Sequence, residues 1–146
     1  MSDFTIRINV DVPREAVFSY LADGSRTPEW YEAVQTATKT TEGPTAEGTR
    51  YTFTRTLPQG EAVNDVEVSE FHEPHRIAFA SRSGPTPFTY RYRIEPTGAG
   101  SRVTLEGSIT GEGLRGRWAL LAPLAGRLFE RGMARNLESL KARLED

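Results

Sequence analysis

The sequence predicts an α+β domain: one strand, two short helices, six further strands and a long C-terminal helix. Three observations predict it. Apolar and polar residues alternate with period two near the N-terminus. β-Branched and aromatic segments punctuated by Gly/Pro clusters run from about Val34 to Thr110, and an apolar stripe with helical period follows Gly113.

Phe4, Ile6, Ile8 and Val10 alternate with Thr5, Arg7 and Asn9, as in a strand with one buried face. Asp11 offers a cap and Pro13 suits a first helical turn, after which Ala16, Val17, Tyr20 and Leu21 recur at helical spacing until Asp23-Gly24. Thr27-Pro28-Glu29 repeats the cap-and-proline signal, so a second short helix is expected to carry Trp30 and Tyr31. Clusters at Glu42-Gly43-Pro44, Pro58-Gln59-Gly60, Glu73-Pro74, Gly84-Pro85 and Pro96-Thr97-Gly98 then delimit strands over about 34–41, 48–57, 62–71, 76–82, 87–95 and 102–110. The loops between them are short enough for antiparallel hairpins. Leu114, Trp118, Leu121, Ala125, Leu128, Phe129, Met133, Leu137, Leu140 and Leu144 form the apolar stripe of a helix about 30 residues long, kinked or interrupted at Pro123.

Composition narrows the function classes. The 146 residues, 37% hydrophobic and 26% charged, make a single domain over 1–146. A chain of that length can bury roughly 68–70% of its unfolded surface without metal or disulfide staples. The lack of cysteine removes disulfides, thiolate nucleophiles and thiolate metal sites together. A net charge of -2 argues against a nucleic-acid surface, and it outweighs the interleaving of Arg91 and Arg93 with Tyr90 and Tyr92 on one strand. The apolar run from Trp118 to Gly126 stops at Arg127, short of the ~20 residues that span a bilayer, so no integral membrane association is expected. With no secretory leader pattern, the expected location is the cytoplasm. Monomer and homodimer both remain open.

The order β-α-α-β6-α, the Val10-Asp11-Val12-Pro13 lead into the first helix, Pro28-Glu29-Trp30, the Val68-Ser69-Glu70-Phe71-His72-Glu73-Pro74 strand-to-turn segment and the long terminal helix carry a resemblance over essentially the whole chain. It resembles the polyketide cyclase/dehydrase branch of the START-like (SRPBCC) superfamily. The resemblance implies a helix-grip fold, in which a curved seven-stranded antiparallel sheet wraps the C-terminal helix and leaves a cavity for an apolar ligand. That superfamily includes aromatase/cyclases, lipid carriers, hormone receptors, ubiquinone-binding proteins and co-chaperone domains, so fold alone does not select a function.

Strand phase selects the residues that face such a cavity, because a one-residue slip reverses every side chain. A hairpin loop of Pro58 to Glu61 pairs Leu57 with Ala62, Arg55 with Asn64, Phe53 with Val66, and Tyr51 with Val68. Opposing Phe53 with Asp65 and Tyr51 with Glu67 instead would set acids against the core. A loop of His72 to His75 pairs Glu70 with Ile77 and Val68 with Phe79, and brings Val66 opposite Ser81. The last hairpin opposes Ile94 with Val103, Tyr92 with Leu105, and Tyr90 with Gly107. One inner face results, rich in Tyr51, Phe53, Phe79, Phe88, Tyr90 and Tyr92, with Trp30, Trp118 and Leu121 from the helices expected to close it. These aromatics serve equally as core against the terminal helix or as the wall of a site for a ring-bearing ligand. Arg55, Asn64 and Glu70 fall in phase with them, marking either a hydrated or polar-ended cavity or the solvated ends of the sheet. Gly107 either leaves room for a ligand or bends the sheet.

Other motifs carry less chemistry. His72-Glu73-Pro74-His75 sits in a turn where Pro74 breaks the spacing a metal pair needs, so no metal is expected. There is no Gly-x-Ser-x-Gly elbow, and Gly111, Gly113 and Gly116, beside Arg115 and Arg117, match neither a dinucleotide nor a Walker loop. They form a flexible lead into the terminal helix or a plain connection. No cofactor is expected. The reading that needs least is binding or carriage of a hydrophobic aromatic, polyketide-like or lipid molecule. A second is a polyketide cyclase or dehydratase that folds its substrate while Arg55, Tyr51, Tyr90 or Tyr92 polarises a carbonyl. It lacks an evident general base, since neither histidine faces inward. A third is a co-chaperone-like domain with a protein partner.

Overall fold

The computed structural model describes residues 2–57, 60–109, 120 and 125–146. Strand β1 (Ser2–Val10) leads through Pro13 into α1 (Arg14–Ala22) and a 3-10 turn (Gly24–Glu29). Strands β2 (Val34–Lys39), β3 (Arg50–Leu57), β4 (Gly60–His72), β5 (Arg76–Ser81), β6 (Phe88–Thr97) and β7 (Gly100–Ile109) follow, and α2 (Ala125–Glu145) ends the fold. The strands form one sheet in the order β1-β7-β6-β5-β4-β3-β2, every pair antiparallel. It is the expected curved helix-grip sheet. Six strands meander, and β1 returns to pair with β7 at the far edge. Met133, Leu137 and Leu140 bury one face of α2, which packs on β1 and β7. Trp118, Leu121 and Pro123 lie outside the described residues, as does the first part of the predicted 30-residue helix.

Two helix signals act differently from expectation. Pro13 is the N-cap of α1, without a side-chain cap, and its carbonyl accepts the N–H groups of Ala16 and Val17 at 3.1 and 3.2 Å. Asp11 does not cap; its own N–H donates to Glu145 Oε2 at 2.8 Å and ties the chain to the end of α2. The second helix is shifted upstream and is a 3-10 turn that contains Pro28. It ends before Trp30 and Tyr31, whose N–H groups donate to the Thr27 carbonyl at 3.2 and 2.9 Å. Both rings turn inward, to 5% and 6% exposure, so burial of two large aromatics ends the turn where propensity alone would continue it.

Register keeps the predicted faces while moving some partners. β3 and β4 pair Leu57 with Gly60, Arg55 with Ala62, Phe53 with Asn64 and Tyr51 with Val66, two residues tighter than expected. Gly60, at φ +127°, adopts a conformation that side chains disfavour, and so lets β4 begin early. Because the shift is even, Tyr51, Phe53, Arg55, Asn64, Val66 and Val68 all still point inward. Val68 opposes Phe79, and Tyr92 and Tyr90 oppose Leu105 and Gly107, as the alternation required. Glu70 does not face inward. The register slips between Val68 and Glu70, so Phe71 takes the place opposite Ile77, and Glu70 pairs across from Ala78 on the outer face.

Candidate functional site

Arg55 is the centre of the site because its strand phase drives a charged side chain into the core, leaving it 1% exposed. The guanidinium is solvated by oxygen dipoles. Nε and Nη2 donate to Asn64 Oδ1 at 3.1 and 2.8 Å, and Nη2 also donates to the Pro85 carbonyl at 2.8 Å and Thr86 Oγ1 at 2.6 Å. Asn64, fully buried, turns its Nδ2 to Ser81 Oγ at 3.1 Å and to the carbonyls of Ser83 and Pro85, both at 3.0 Å. Phe88 covers one side, 5.2 Å from ring centroid to Arg55 Cζ. Among the described residues no carboxylate lies within ion-pair distance of Arg55. The cation is therefore held by β4 and the β5–β6 loop without being cancelled.

Arg55 forms part of the floor of an open cleft of about 450 Å³ between the sheet and α2. Tyr31, Ala33 and Thr56 flank it on the sheet side, Leu128, Phe129, Gly132, Met133 and Asn136 face it from α2, and Glu32 and Arg135 also border it. Two bonds tie α2 to the segment before β2: Asn136 Oδ1, on the border of the cleft, accepts the Glu32 N–H at 3.1 Å, and Arg143 Nε donates to the Glu29 carbonyl at 3.1 Å.

Behind it lies a second space of only about 20 Å³, walled by Thr27, Trp30, Tyr31, Phe53, Phe79, Phe88, Tyr90 and Tyr92. That is room for about one water. The rings mostly pack on one another: Phe88 and Tyr90 stack at 4.8 Å, and Tyr92 meets Trp30 and Phe79 edge-on at 6.2 and 6.4 Å. Tyr90 Oη is buried and has no well-directed hydrogen-bond partner. Burial pushes its pKa well up, and the Tyr31 hydroxyl beside it pushes it further. Burial also raises Tyr31, opposed first by the charge of Arg55. Burial likewise holds Tyr92 well above the ordinary phenol range, reinforced by Tyr31.

The predicted residues thus divide. Trp30, Phe53, Phe79, Phe88, Tyr90 and Tyr92 meet in the aromatic cage, Arg55 faces the cleft, Asn64 holds Arg55 from behind, and Ser81 in turn accepts from Asn64. Tyr51 is fixed elsewhere: its hydroxyl accepts the Gly24 N–H at 3.2 Å, and its ring lies under that glycine, so near that a Cβ there would stand 2.6 Å from Tyr51 Cζ. The space beside Gly107 is taken by the ring of Phe4, whose Cε2 would stand 2.6 Å from a Cβ at 107. Val66, Val68 and Leu105 are core residues lining neither space. Glu70, on the outer face, binds Arg91 at 2.6 Å and Arg76 at 2.8 Å. Strand alternation does not mark Tyr31, Thr86 or the α2 residues Met133 and Asn136 as part of the site. Asn136 left a signal, the polar residue beside the Met133/Leu137/Leu140 stripe.

The geometry defines a helix-grip protein with a charged, partly apolar cleft between sheet and terminal helix. Residues 1–145 match the model of the family described as polyketide cyclase / dehydrase and lipid transport, and the chain belongs to that family. Solved structures share its fold at low identity. TTHA0849 from Thermus thermophilus matches at 19% identity and TM-score 0.80, over 97% of this chain and 96% of that one. A START superfamily protein from Mycobacterium smegmatis matches at 15% identity and TM-score 0.77, over 99% and 98%. The di-domain ARO/CYC BexL from the BE-7585A biosynthetic pathway matches at 18% identity and TM-score 0.73, where 99% of this chain corresponds to 47% of that one. No curated protein matches the sequence. No helix among the described residues is long and apolar enough to cross a membrane.

Proposed function

We propose that the protein binds and carries a hydrophobic small molecule, aromatic, polyketide-like or lipid, in the cleft between the sheet and α2, with an oxygen-bearing end of the ligand at Arg55. The observation that carries this reading is the buried guanidinium of Arg55, unpaired with any described carboxylate, on the floor of a cleft that Ala33, Leu128, Phe129 and Met133 line alongside the polar Glu32, Thr56, Arg135 and Asn136. A cleft whose apolar side chains are joined by a few placed polar groups suits a mostly apolar ligand with an oxygen-bearing end.

Gly132 provides the test. It lines the cleft from α2, and among the described residues a Cβ there meets nothing within 4 Å. Gly132→Leu should fill the cleft while the helix gains about 0.5–1 kcal/mol in propensity, so the variant folds at least as well as the parent. Native mass spectrometry of freshly purified parent protein should then show a co-purifying hydrophobic ligand that Gly132→Leu lacks. A parent protein that is always empty, or a variant that keeps the ligand, refutes the reading.

A second reading, cyclisation of a poly-β-keto substrate, is favoured by Arg55 and Tyr31 both lining the cleft, where a guanidinium and a phenol would stabilise an enolate oxygen. Glu32, on the border of the cleft, is the carboxylate available as a base. Under this reading Glu32→Gln abolishes turnover of a poly-β-keto thioester and leaves its binding intact; turnover unaffected by the change excludes that role.

A further inference from the structure

Tyr31 borders both spaces, the open cleft on one side and the closed aromatic cage on the other. Its backbone is pinned. The N–H donates to the Thr27 carbonyl at 2.9 Å, the carbonyl accepts the Val34 N–H at 3.0 Å, and the next N–H is held by Asn136. Tyr31 lies between the 3-10 turn and β2, and a turn about its Cα–Cβ bond would swing the ring without displacing that backbone. Its ring lies 6.5 Å from that of Tyr90, the buried phenol that no described group satisfies, and Arg55 lines the same cleft. A ring serving only as core would be better supplied by phenylalanine, since a phenol here adds a buried polar group without completing the network around it.

The geometry points to Tyr31 as a placeholder: its phenol ring occupies the seat of a flat ligand ring bearing a hydroxyl or enol oxygen, which enters by turning Tyr31 out into the cleft. The cage alone, at about 20 Å³, admits no ring, but the volume Tyr31 vacates is that of one phenol. A second ring would extend into the cleft. In the occupied state the ligand ring packs among Phe53, Phe88 and Tyr92, while its oxygen takes the place of the Tyr31 hydroxyl beside Arg55 and accepts a hydrogen bond from Tyr90. This rests on the cleft being a ligand site and adds which residue yields and which chemistry is selected. Because the ligand must displace Tyr31, its apparent affinity is lowered by the fraction of time the seat is open.

The test uses 2-naphthol and naphthalene, with binding followed by calorimetry. If Tyr31 vacates its seat about a tenth of the time, Tyr31→Ala binds 2-naphthol about tenfold more tightly than the parent protein. Tyr90→Phe in that background then removes most of the preference for 2-naphthol over naphthalene. In the parent protein labelled with 3-fluorotyrosine, the signal lost in Tyr31→Phe identifies Tyr31, and saturating 2-naphthol should expose it to a soluble paramagnetic agent. If Gly132→Leu abolishes 2-naphthol binding but Tyr31→Ala binds no more tightly than the parent, or the labelled Tyr31 stays protected with ligand bound, the placeholder is overturned and the cleft reading stands. If parent and Tyr31→Ala both fail to bind either probe, the placeholder falls, and the cleft reading is decided by whether Gly132→Leu removes the co-purifying ligand.

Discussion

Replacing Asn64 with alanine isolates the cost of burying Arg55. The substitution leaves the guanidinium in place, 1% exposed, and removes its two bonds to Oδ1 at 3.1 and 2.8 Å. The other groups that Asn64 serves keep partners: the Pro85 carbonyl still receives Arg55 Nη2 at 2.8 Å, and the Ser83 carbonyl still receives Ser81 Oγ at 3.1 Å. The loss is therefore concentrated at the cation. Hydrogen bonds to a charged group contribute about 1.5–3 kcal/mol each, and leaving a buried charge without its partner costs about 3–5 kcal/mol, so the larger figure bounds the expected destabilisation. For a chain of this size that corresponds to a fall in Tm on the order of 10 °C. Urea denaturation followed by circular dichroism measures it. The companion is a cycle with Arg55→Met: once the cation is gone, Asn64→Ala should cost about 2 kcal/mol less than it does beside Arg55. A single-variant cost below about 1 kcal/mol, or additivity within about 0.5 kcal/mol, would refute the view that Arg55 is held uncancelled by Asn64.

Three further outcomes follow from the same structure. Gly107→Ala drives a Cβ to 2.6 Å from Phe4 Cε2 and should cost about 1–3 kcal/mol in thermal or urea denaturation, much of it recovered by adding Phe4→Val; an unchanged Tm would show that Phe4 does not fill that space. At Glu70, burial opposes ionisation, but the hydrogen bond and charge of Arg91, with Arg76 and His72, outweigh it and hold the carboxyl below its usual value of 4.5. A lowered folded value means its contribution is complete above the unfolded pKa and lost as pH falls through the folded one, so Glu70→Gln should flatten the stability profile below about pH 4.5, and an unaltered acid limb counts against the pairing. Tyr20, which donates to Glu29 Oε1 at 2.7 Å, is pushed up to about 12 by burial and then by that carboxylate, and Tyr31, Tyr90 and Tyr92 are raised as well. Raised phenol values stabilise the fold fully below pH 10 and are lost as pH rises through the folded values, so the buried Tyr31, Tyr90 and Tyr92 should ionise only as circular dichroism reports unfolding, and the half-buried Tyr20 only near pH 12. Two or more tyrosinates appearing near pH 10 in ultraviolet absorbance with the fold intact would contradict this.

What could be read from the sequence was parity. Burial of one sheet face forces every second residue inward, so the inward placement of Arg55 and Asn64 survived even though the hairpin between them closes two residues tighter than expected. Glu70 failed for the complementary reason: a bulge breaks parity without altering composition. Its trace was present in Val66, Val68 and Phe71, where the apolar spacing of two becomes three. The partners that make Arg55 tolerable were beyond any side-chain pattern, because two of the acceptors in its network are the carbonyls of Ser83 and Pro85, supplied by a loop 30 residues away in the chain. The aromatic wall was legible as residues but not as volume. Six rings in phase announce a lined cavity or a filled core with equal force, and only packing distances decide that they leave room for about one water.

That packing changes what the buried arginine means. A methionine or leucine at position 55 would need no network and could leave the fold as stable or more so, since replacing a buried charge by apolar packing is often neutral or favourable. Arg55 instead requires Asn64, Thr86 and two loop carbonyls to be held for it, with Thr86 itself at φ +47°, in the left-handed region that a β-branched residue disfavours. A scaffold that accepts strained backbone and a desolvated cation, and then turns that cation to a cleft without a described counter-ion, is consistent with the proposed ligand oxygen at Arg55. The consequence is directional. Changes that loosen the Arg55 network should weaken ligands with a polar end far more than their hydrocarbon analogues, whereas Gly132→Leu should exclude both alike.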